Sequence, residues 1–342
     1  MTSGSPRFLI VRLGSLGDII HAIPVAAALR EHMPQAGIDW MVDPRYVDVL
    51  NLVRCVDRKV PVDPRRNWSG LVRTLRELRH SRYDTAIDLQ GLLKSAVLGR
   101  LAGAARTIGF PRAHLREPLA RLLYTHTHDL GNRPHVIHKN LALLESIGVR
   151  ERRIMFPLTI PDTPVVKDVR ARWPDGYALI NPGAAWPNKR WPADRFGALA
   201  TALQERLALR SVVLWGPGEQ SLASAVVIAA SGAAELSPSA TITDLFGLAH
   251  GARMIVSGDS GPLHIAAACG TPLVGLFGPT FPERNGPWAE SDITVSRAES
   301  CSCRYERRCR KAEPCIESIS TDDVIEAAMR RMRAQRTMPS AP

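Results

Sequence analysis

The stretch Ser257-Gly258-Asp259-Ser260-Gly261-Pro262-Leu263-His264, running on into Ile265-Ala-Ala-Ala-Cys-Gly270, limits the possible folds more than any other. Arg253 to Val256 reads as the end of a short buried strand, and the alanine-rich segment reads as a helix that stops at Gly270. Strand, tight glycine turn and helix N-terminus, in that order, belong to an α/β fold. The same geometry holds an anionic phosphate, because the first N–H groups of a helix lack intrahelical partners and the macrodipole favours negative charge there. Pro262 suits the first helical position, where its missing donor costs little. A plain capped helix, with Asp259 or Ser260 as N-cap, has the same local pattern.

The pattern recurs along the chain. Phe8-Leu-Ile-Val11 fits a buried parallel strand, and Arg12-Leu-Gly14-Ser15-Leu-Gly17-Asp18 leads into a helix from Ile19 to Glu31. The G-x-G-x-x-G dinucleotide fingerprint is absent here. Asp18 falls at the mouth of the turn, where parallel sheets bind ligands, or serves as an N-cap. Further strands are expected at Ile38–Val42, Arg58–Val62, Tyr83–Asp88 and Ala105–Phe110, with a helix over Leu71–His80 and a turn into a helix at Gln90-Gly-Leu-Leu-Lys94. Arg65, Arg66, Lys94, Arg116, His138 and Lys139 fall near loops and helix starts, where binding groups concentrate. Each taken singly reads first as a solvated surface charge.

Pro157, Pro161, Pro164 and Pro174 interrupt any helix, and Pro161-Asp-Thr-Pro164 reads as a hinge. A chain of 342 residues suits two α/β domains, 1–160 and 161–342. In the second, strands at Tyr177–Ile180, Val212–Trp215, Arg253–Val256 and Leu273–Phe277 each lead into a glycine-bearing loop. Such loops should share one sheet edge and line one cleft. Helices are expected over Ala193–Arg206, from Glu219 to Ala230 and over Thr243–Ala249. The tail, Ser320 to Arg333, opens with the capping box Ser320-x-x-Asp323 and continues as a basic amphipathic helix.

The formal charge of +11 attracts polyanions: nucleic acid, an acidic membrane face or phosphorylated ligands. No aromatic-rich basic stripe supports nucleic acid. No run approaches the ~18–20 apolar residues of a spanning helix, and the polar Met1–Pro6 does not resemble a signal peptide. A cytoplasmic location, or one on a membrane surface facing the cytoplasm, is expected. Cys301, Cys303, Cys309 and Cys315 space as C-x-C-x5-C-x5-C, a poor match to paired zinc knuckles, so free thiols or a packed loop are expected.

Five segments together resemble the heptosyltransferases of bacterial lipopolysaccharide synthesis, glycosyltransferase family 9. They are Val11-Arg-Leu-Gly-Ser-Leu-Gly-Asp18-Ile-Ile-His-Ala-Ile-Pro24, Tyr83-Asp-Thr-Ala-Ile-Asp-Leu-Gln-Gly-Leu-Leu-Lys94-Ser, Arg116-Glu-Pro-Leu-Ala120, Asn188-Lys189-Arg-Trp191-Pro and Asp259-Ser-Gly-Pro-Leu-His264. The third is most similar to the heptosyltransferase I branch. The resemblance implies two Rossmann-like domains facing across a central cleft, the GT-B arrangement. The acceptor would sit on the first domain and the nucleotide sugar on the second, with a C-terminal helix returning to the first domain. It implies inverting transfer of heptose from ADP-heptose to the Kdo region of Kdo-lipid A. By analogy Asp18 is the general base and Lys189 meets the diphosphate.

The resemblance extends to the binding groups. Ser260 and Gly261 would contribute the helix N-terminus, and Glu219 would accept from ribose hydroxyls. Asp259 would hold a sugar hydroxyl or organise the turn, and His264 would bind donor or pack beneath the loop. Ala184 and Ala185 replace the threonines common in that branch, so only their backbone N–H groups can serve the donor. The cysteine segment looks more like other branches. Arg65, Arg66, Lys94 and Arg116 would meet the acceptor's carboxylates and phosphates. With no D-x-D motif, neither a divalent metal nor any other cofactor is expected, and an anionic membrane face is an expected contact. The competing readings are a later-acting heptosyltransferase, a GT-B sugar-nucleotide epimerase and a nucleic-acid-binding protein.

Overall fold

A computed structural model describes residues 5–63, 68–151 and 153–337. The chain divides into two units, Met1–Thr159 and Ile160–Pro342, within the proline-rich stretch. In the first unit, β1 (Arg7–Val11), β2 (Gly37–Val42), β3 (Arg58–Pro61), β4 (Thr85–Asp88), β5 (Arg106–Gly109) and β6 (His126–Thr127) form one sheet in the order β3-β2-β1-β4-β5-β6. Every pairing is parallel. Parallel strands covered on both faces need continuous apolar runs, and β1 supplies one: Leu9, Ile10 and Val11 are wholly buried.

The second unit repeats the winding. Its strands are β7 (Ala178–Asn181), β8 (Ser211–Val213), β9 (Ala234–Leu236), β10 (Met254–Gly258), β11 (Leu273–Phe277) and β12 (Ile293–Ser296). They lie all-parallel in the order β12-β11-β10-β7-β8-β9. In each sheet the order reverses beside the first strand, between β1 and β4 and between β7 and β10. That is the switch point at which α/β sheets bind ligands. The four glycine-bearing loops of the second half follow β7, β8, β10 and β11, which are contiguous in the sheet.

Some elements differ from the sequence reading. The single helix expected over Ile19–Glu31 is two, Leu16–Ile20 and Ile23–His32, because Pro24 can donate no backbone hydrogen bond and restricts the residue before it. β6, β9 and β12 were not anticipated. Each is an outermost strand with one neighbour, so none needs the long apolar run that marks an inner strand. The tail helix spans Thr321–Thr337, and Ser320 Oγ accepts from the Asp323 N–H at 3.1 Å as its capping box requires. It packs on the helix Ala193–Leu207, β11 and β12 of its own unit through Val324, Ala328 and Met332. The buried pair Arg331 Nε–Asp292 Oδ1, at 2.9 Å, fixes its register. Among the described residues no helix is long and apolar enough to cross a membrane.

Candidate functional site

In the first unit the site grows from the end of β1. Asp18 is the third residue of the helix Leu16–Ile20, with Ser15 at its N-cap. Asp18 Oδ2 accepts from the Ser15 N–H at 3.0 Å and the Ser15 hydroxyl at 2.9 Å, while Oδ1 pairs with Arg12 Nη2 at 2.6 Å. A carboxylate offers about four acceptor positions. Three are taken, and the side chain is still 39% exposed, so one position stays open to solvent. Burial raises the Asp18 pKa, but the Arg12 guanidinium and the Ser15 donors outweigh it and hold the carboxyl below its ordinary range. Arg12 is itself buried. Its Nη1 donates to the Leu89 carbonyl, and its Nε has no partner.

Asp88, at the end of β4, builds the neighbouring turn. It accepts from the Gln90 and Gly91 N–H groups, from Ser95 Oγ at 2.9 Å and from the Tyr124 hydroxyl at 2.7 Å. Burial pushes its pKa up, further than these donors pull it back. Gln90 Oε1 accepts from the Leu13 N–H at 2.9 Å, which ties this turn to the Asp18 loop. The helix Leu93–Leu101 starts here, and Glu117 caps it by accepting from the Leu93 N–H at 2.7 Å. Lys94 and Arg116 therefore flank one contact. Both are exposed and neither has an ion-pair partner among the described residues. Arg45 first, with Lys94 contributing, holds Asp43 at the end of β2 below the ordinary carboxylate range. Arg65 and Arg66 lie outside the described residues.

In the second unit, Lys189 is the centre. Its Nζ lies 2.5 Å from Asp259 Oδ2 and 4.4 Å over the Trp186 ring. Asp259 also accepts from Thr280 Oγ1 at 2.7 Å and Asn285 Nδ2 at 2.8 Å, and its Oδ1 is 3.5 Å from His264 Nε2. Burial works to raise the Asp259 pKa, but His264 and Lys189 reverse it and hold the carboxylate far below its ordinary range. Asp259 is thus neither the N-cap nor a free group. It anchors the cation and braces the loop after β11 against the loop after β10. The lysine loop comes this close because a Cβ on Gly258 would lie 2.8 Å from the Lys189 carbonyl oxygen.

Ser260 occupies the N-cap position of the helix Gly261–Ala268, yet its hydroxyl makes no capping bond. Asn181 Nδ2, at the end of β7, donates to it at 2.9 Å and contacts Ser257 Oγ and the Gly183 carbonyl at 3.0 Å each. The first N–H groups of this helix stay available, as an anion site requires. Glu219 lies against Gly183, where a Cβ would meet Glu219 Oε2 at 2.2 Å. Arg190 links this side: its Nε donates to the Ala184 carbonyl at 2.9 Å and its Nη2 is 3.6 Å from Glu219 Oε1. Ala184 is buried and Ala185 exposed.

Within this unit the fold brings together Ala184, Lys189, Glu219, Asp259, Ser260, Gly261 and His264. Sequence reasoning missed Asn181, Arg190, Thr280 and Asn285 here, and Arg12 in the first unit. Arg190 stood inside a quoted motif, and Thr280 and Asn181 stood in two of the glycine loops. Arg12 also stood inside a quoted motif, but its burial carried no signal, because an arginine just past a strand end reads as a surface charge. Cys303 Sγ accepts from the Arg310 N–H at 3.1 Å, and all six cysteines are free thiols. No group of three or more metal-ligating side chains suited to a metal occurs among the described residues.

The profile of glycosyltransferase family 9 (heptosyltransferase) matches residues 71–314. The chain is 29% identical over 347 residues to lipopolysaccharide heptosyltransferase 1 of Pseudomonas aeruginosa, covering 97% of this chain and 92% of that one. Among solved structures it superposes on a glycosyl transferase family 9 protein of Veillonella parvula with a TM-score of 0.79 at 23% identity, covering 98% of this chain and 99% of that one. It superposes on the E. coli heptosyltransferase WaaC with ADP with a TM-score of 0.72 at 24% identity, covering 96% and 99%. The two Rossmann-like units are those of the GT-B class. The chain belongs to glycosyltransferase family 9, the heptosyltransferase family, and is a glycosyltransferase.

Proposed function

We propose that this protein moves heptose, with inversion, from ADP-heptose to the Kdo region of Kdo-lipid A in lipopolysaccharide inner-core synthesis. The observation that carries the reading is the Lys189–Asp259 pair at 2.5 Å beside the helix N-terminus at Gly261. The acceptor hydroxyl attacks the anomeric carbon from the face opposite ADP. Its proton passes to Asp18 as the new C–O bond forms and the bond to the ADP β-phosphate breaks. Asp18 suits this role because it is ionised and keeps one open acceptor position. Charge building on the diphosphate is met by Lys189 and by the N–H groups of Gly261 and Leu263 at the helix start, donors already in place before reaction. Asp259 aims the lysine, Glu219 accepts from the ribose, and the Ala184 and Ala185 backbones with Ser260 and His264 complete the donor site.

Lys94 and Arg116 meet the acceptor's phosphates and carboxylates, as Arg65 and Arg66 would on the family resemblance. Lys189 and the helix take the role that a metal plays in D-x-D enzymes, so turnover proceeds without any cofactor. The enzyme works at the anionic inner face of the membrane, from the cytoplasm, and needs no nucleic acid.

The test is incubation with ADP-heptose and Kdo-lipid A in excess EDTA, with product read by mass spectrometry. Asp18→Ala abolishes product and keeps ADP affinity; surviving turnover means the base lies elsewhere. A heptosylated core acceptor, run in parallel, tests the later-acting reading that the cysteine segment favours.

A further inference from the structure

Six large apolar side chains stand 39% exposed or more among the described residues, and four of them fall between Leu93 and Leu122. The most exposed of these, Leu119 at 65% and Leu122 at 80%, sit on the short 3₁₀ helix Pro118–Leu123. Residues three apart eclipse one another in that geometry, so the two leucines form one outward ridge. The opposite side is anchored: Ala120 and Tyr124 are buried, and the Tyr124 hydroxyl is bound to Asp88. Leu93, 41% exposed, opens the helix capped by Glu117, the residue just before the ridge. Cations flank the ridge in sequence, and one of them, Arg121, keeps Nη1 on the Tyr124 carbonyl at 3.0 Å. Residues 112–122 hold Arg112, Arg116 and Arg121 against one carboxylate, Glu117, which is engaged in capping. Exposed Lys94 lies on the adjoining helix.

We propose that Leu119, Leu122 and Leu93, with Arg112 and Arg121, dock this unit on a bilayer bearing anionic headgroups. The leucines enter the headgroup–acyl boundary and the arginines contact phosphate. Stable surface attachment needs two signals, and this ridge carries both an apolar and a basic one. A second copy of the chain fits poorly, since pairing two ridges sets two arginine rings against each other. A single-stranded nucleic acid would use exposed aromatic platforms, and the ridge has leucines instead. The docking stands on its own observations. Only its purpose, delivering a lipid-borne acceptor to Lys94 and Arg116, rests on the proposed function.

The experiment is sedimentation of the full chain with sucrose-loaded vesicles, without ADP-heptose or acceptor, so a failed transferase reading leaves the result intact. Vesicles of phosphatidylethanolamine with phosphatidylglycerol are compared with phosphatidylcholine alone. The wild type is expected on the anionic vesicles and not on the neutral ones. Leu119→Ser/Leu122→Ser is expected to lose partitioning by about tenfold or more, and Arg112→Gln by a smaller factor that vanishes at high salt. Circular dichroism and ADP affinity check that each variant is folded, and Leu122→Gln alone replaces the double variant should that one fail to fold. Equal sedimentation of folded leucine variants and wild type overturns the proposal, as does wild-type binding that ignores lipid charge. A wild-type dimer that the leucine substitutions convert to monomer, with no vesicle binding, overturns it in favour of self-association.

Discussion

Replacing Arg12 by Met tests how Asp18 is tuned. Arg12 Nη2 lies 2.6 Å from the carboxylate and the arginine is buried, while Asp18 is 39% exposed. Two unit charges about 4 Å apart interact by about 4 kcal/mol at an effective dielectric of about 20. Water and salt at the exposed carboxylate screen most of this, leaving about 1–1.5 kcal/mol. The sign follows from the ionised form being the base. The Asp18 pKa is depressed in the folded protein, so in its proposed role it stays ionised down to low pH. Without Arg12 its pKa rises, and the acid limb of kcat/KM moves to higher pH. The stabilising part of the pair runs the same way. It is present above the unfolded Asp pKa and is lost as pH falls through the depressed native value, a dependence the variant should flatten. The assay is a kcat/KM pH profile, with circular dichroism as a check, since the substitution also strips the Leu89 carbonyl of its donor. Acid limbs that superimpose in the folded variant and the wild type would refute the tuning argument.

Gly183→Ala places a Cβ 2.2 Å from Glu219 Oε2 and must push that carboxylate aside, so ADP affinity by calorimetry should weaken by about tenfold. Unchanged affinity would remove Glu219 from the donor site. Lys189→Ala should cut kcat by about 100-fold or more, on the scale of losing one oxyanion donor, with a smaller change in donor KM. An effect confined to KM would mean the lysine only binds. Arg331→Ala strands a buried Asp292 carboxylate and should cost about 3 kcal/mol in urea unfolding. An unshifted midpoint would show that the tail helix is held by its apolar face alone.

The inner strands were legible because burial on both faces demands apolar runs, as in Leu273–Phe277, read with its observed bounds. Of the four edge strands only β3 was read, and β6, β9 and β12 were not, since one free side relaxes that demand. The loops were legible through glycine and proline, and Lys189, Asp259 and His264 were named from a motif. Their pairing was not, because it depends on how three loops from separate strands converge. Asp259 seemed misplaced beside a phosphate when read alone. Its four partners, Lys189, Thr280, Asn285 and His264, make it the brace of the loop cluster. Arg12 was illegible for the opposite reason: a charged residue following a strand carries no mark of being buried.

The pairing of Lys189 with Asp259 and of Arg190 with Glu219 has an electrical consequence. The proposed nucleotide cradle is close to neutral at rest, so on that reading a diphosphate meets oriented dipoles and a pre-aimed ammonium, not a bare positive field. Lys94 and Arg116 form no such close ion pair among the described residues, and Lys94 acts on Asp43 only at longer range. Ionic strength should therefore separate the two substrates: added salt raises the KM of the lipid-linked sugar steeply and leaves that of the nucleotide nearly level.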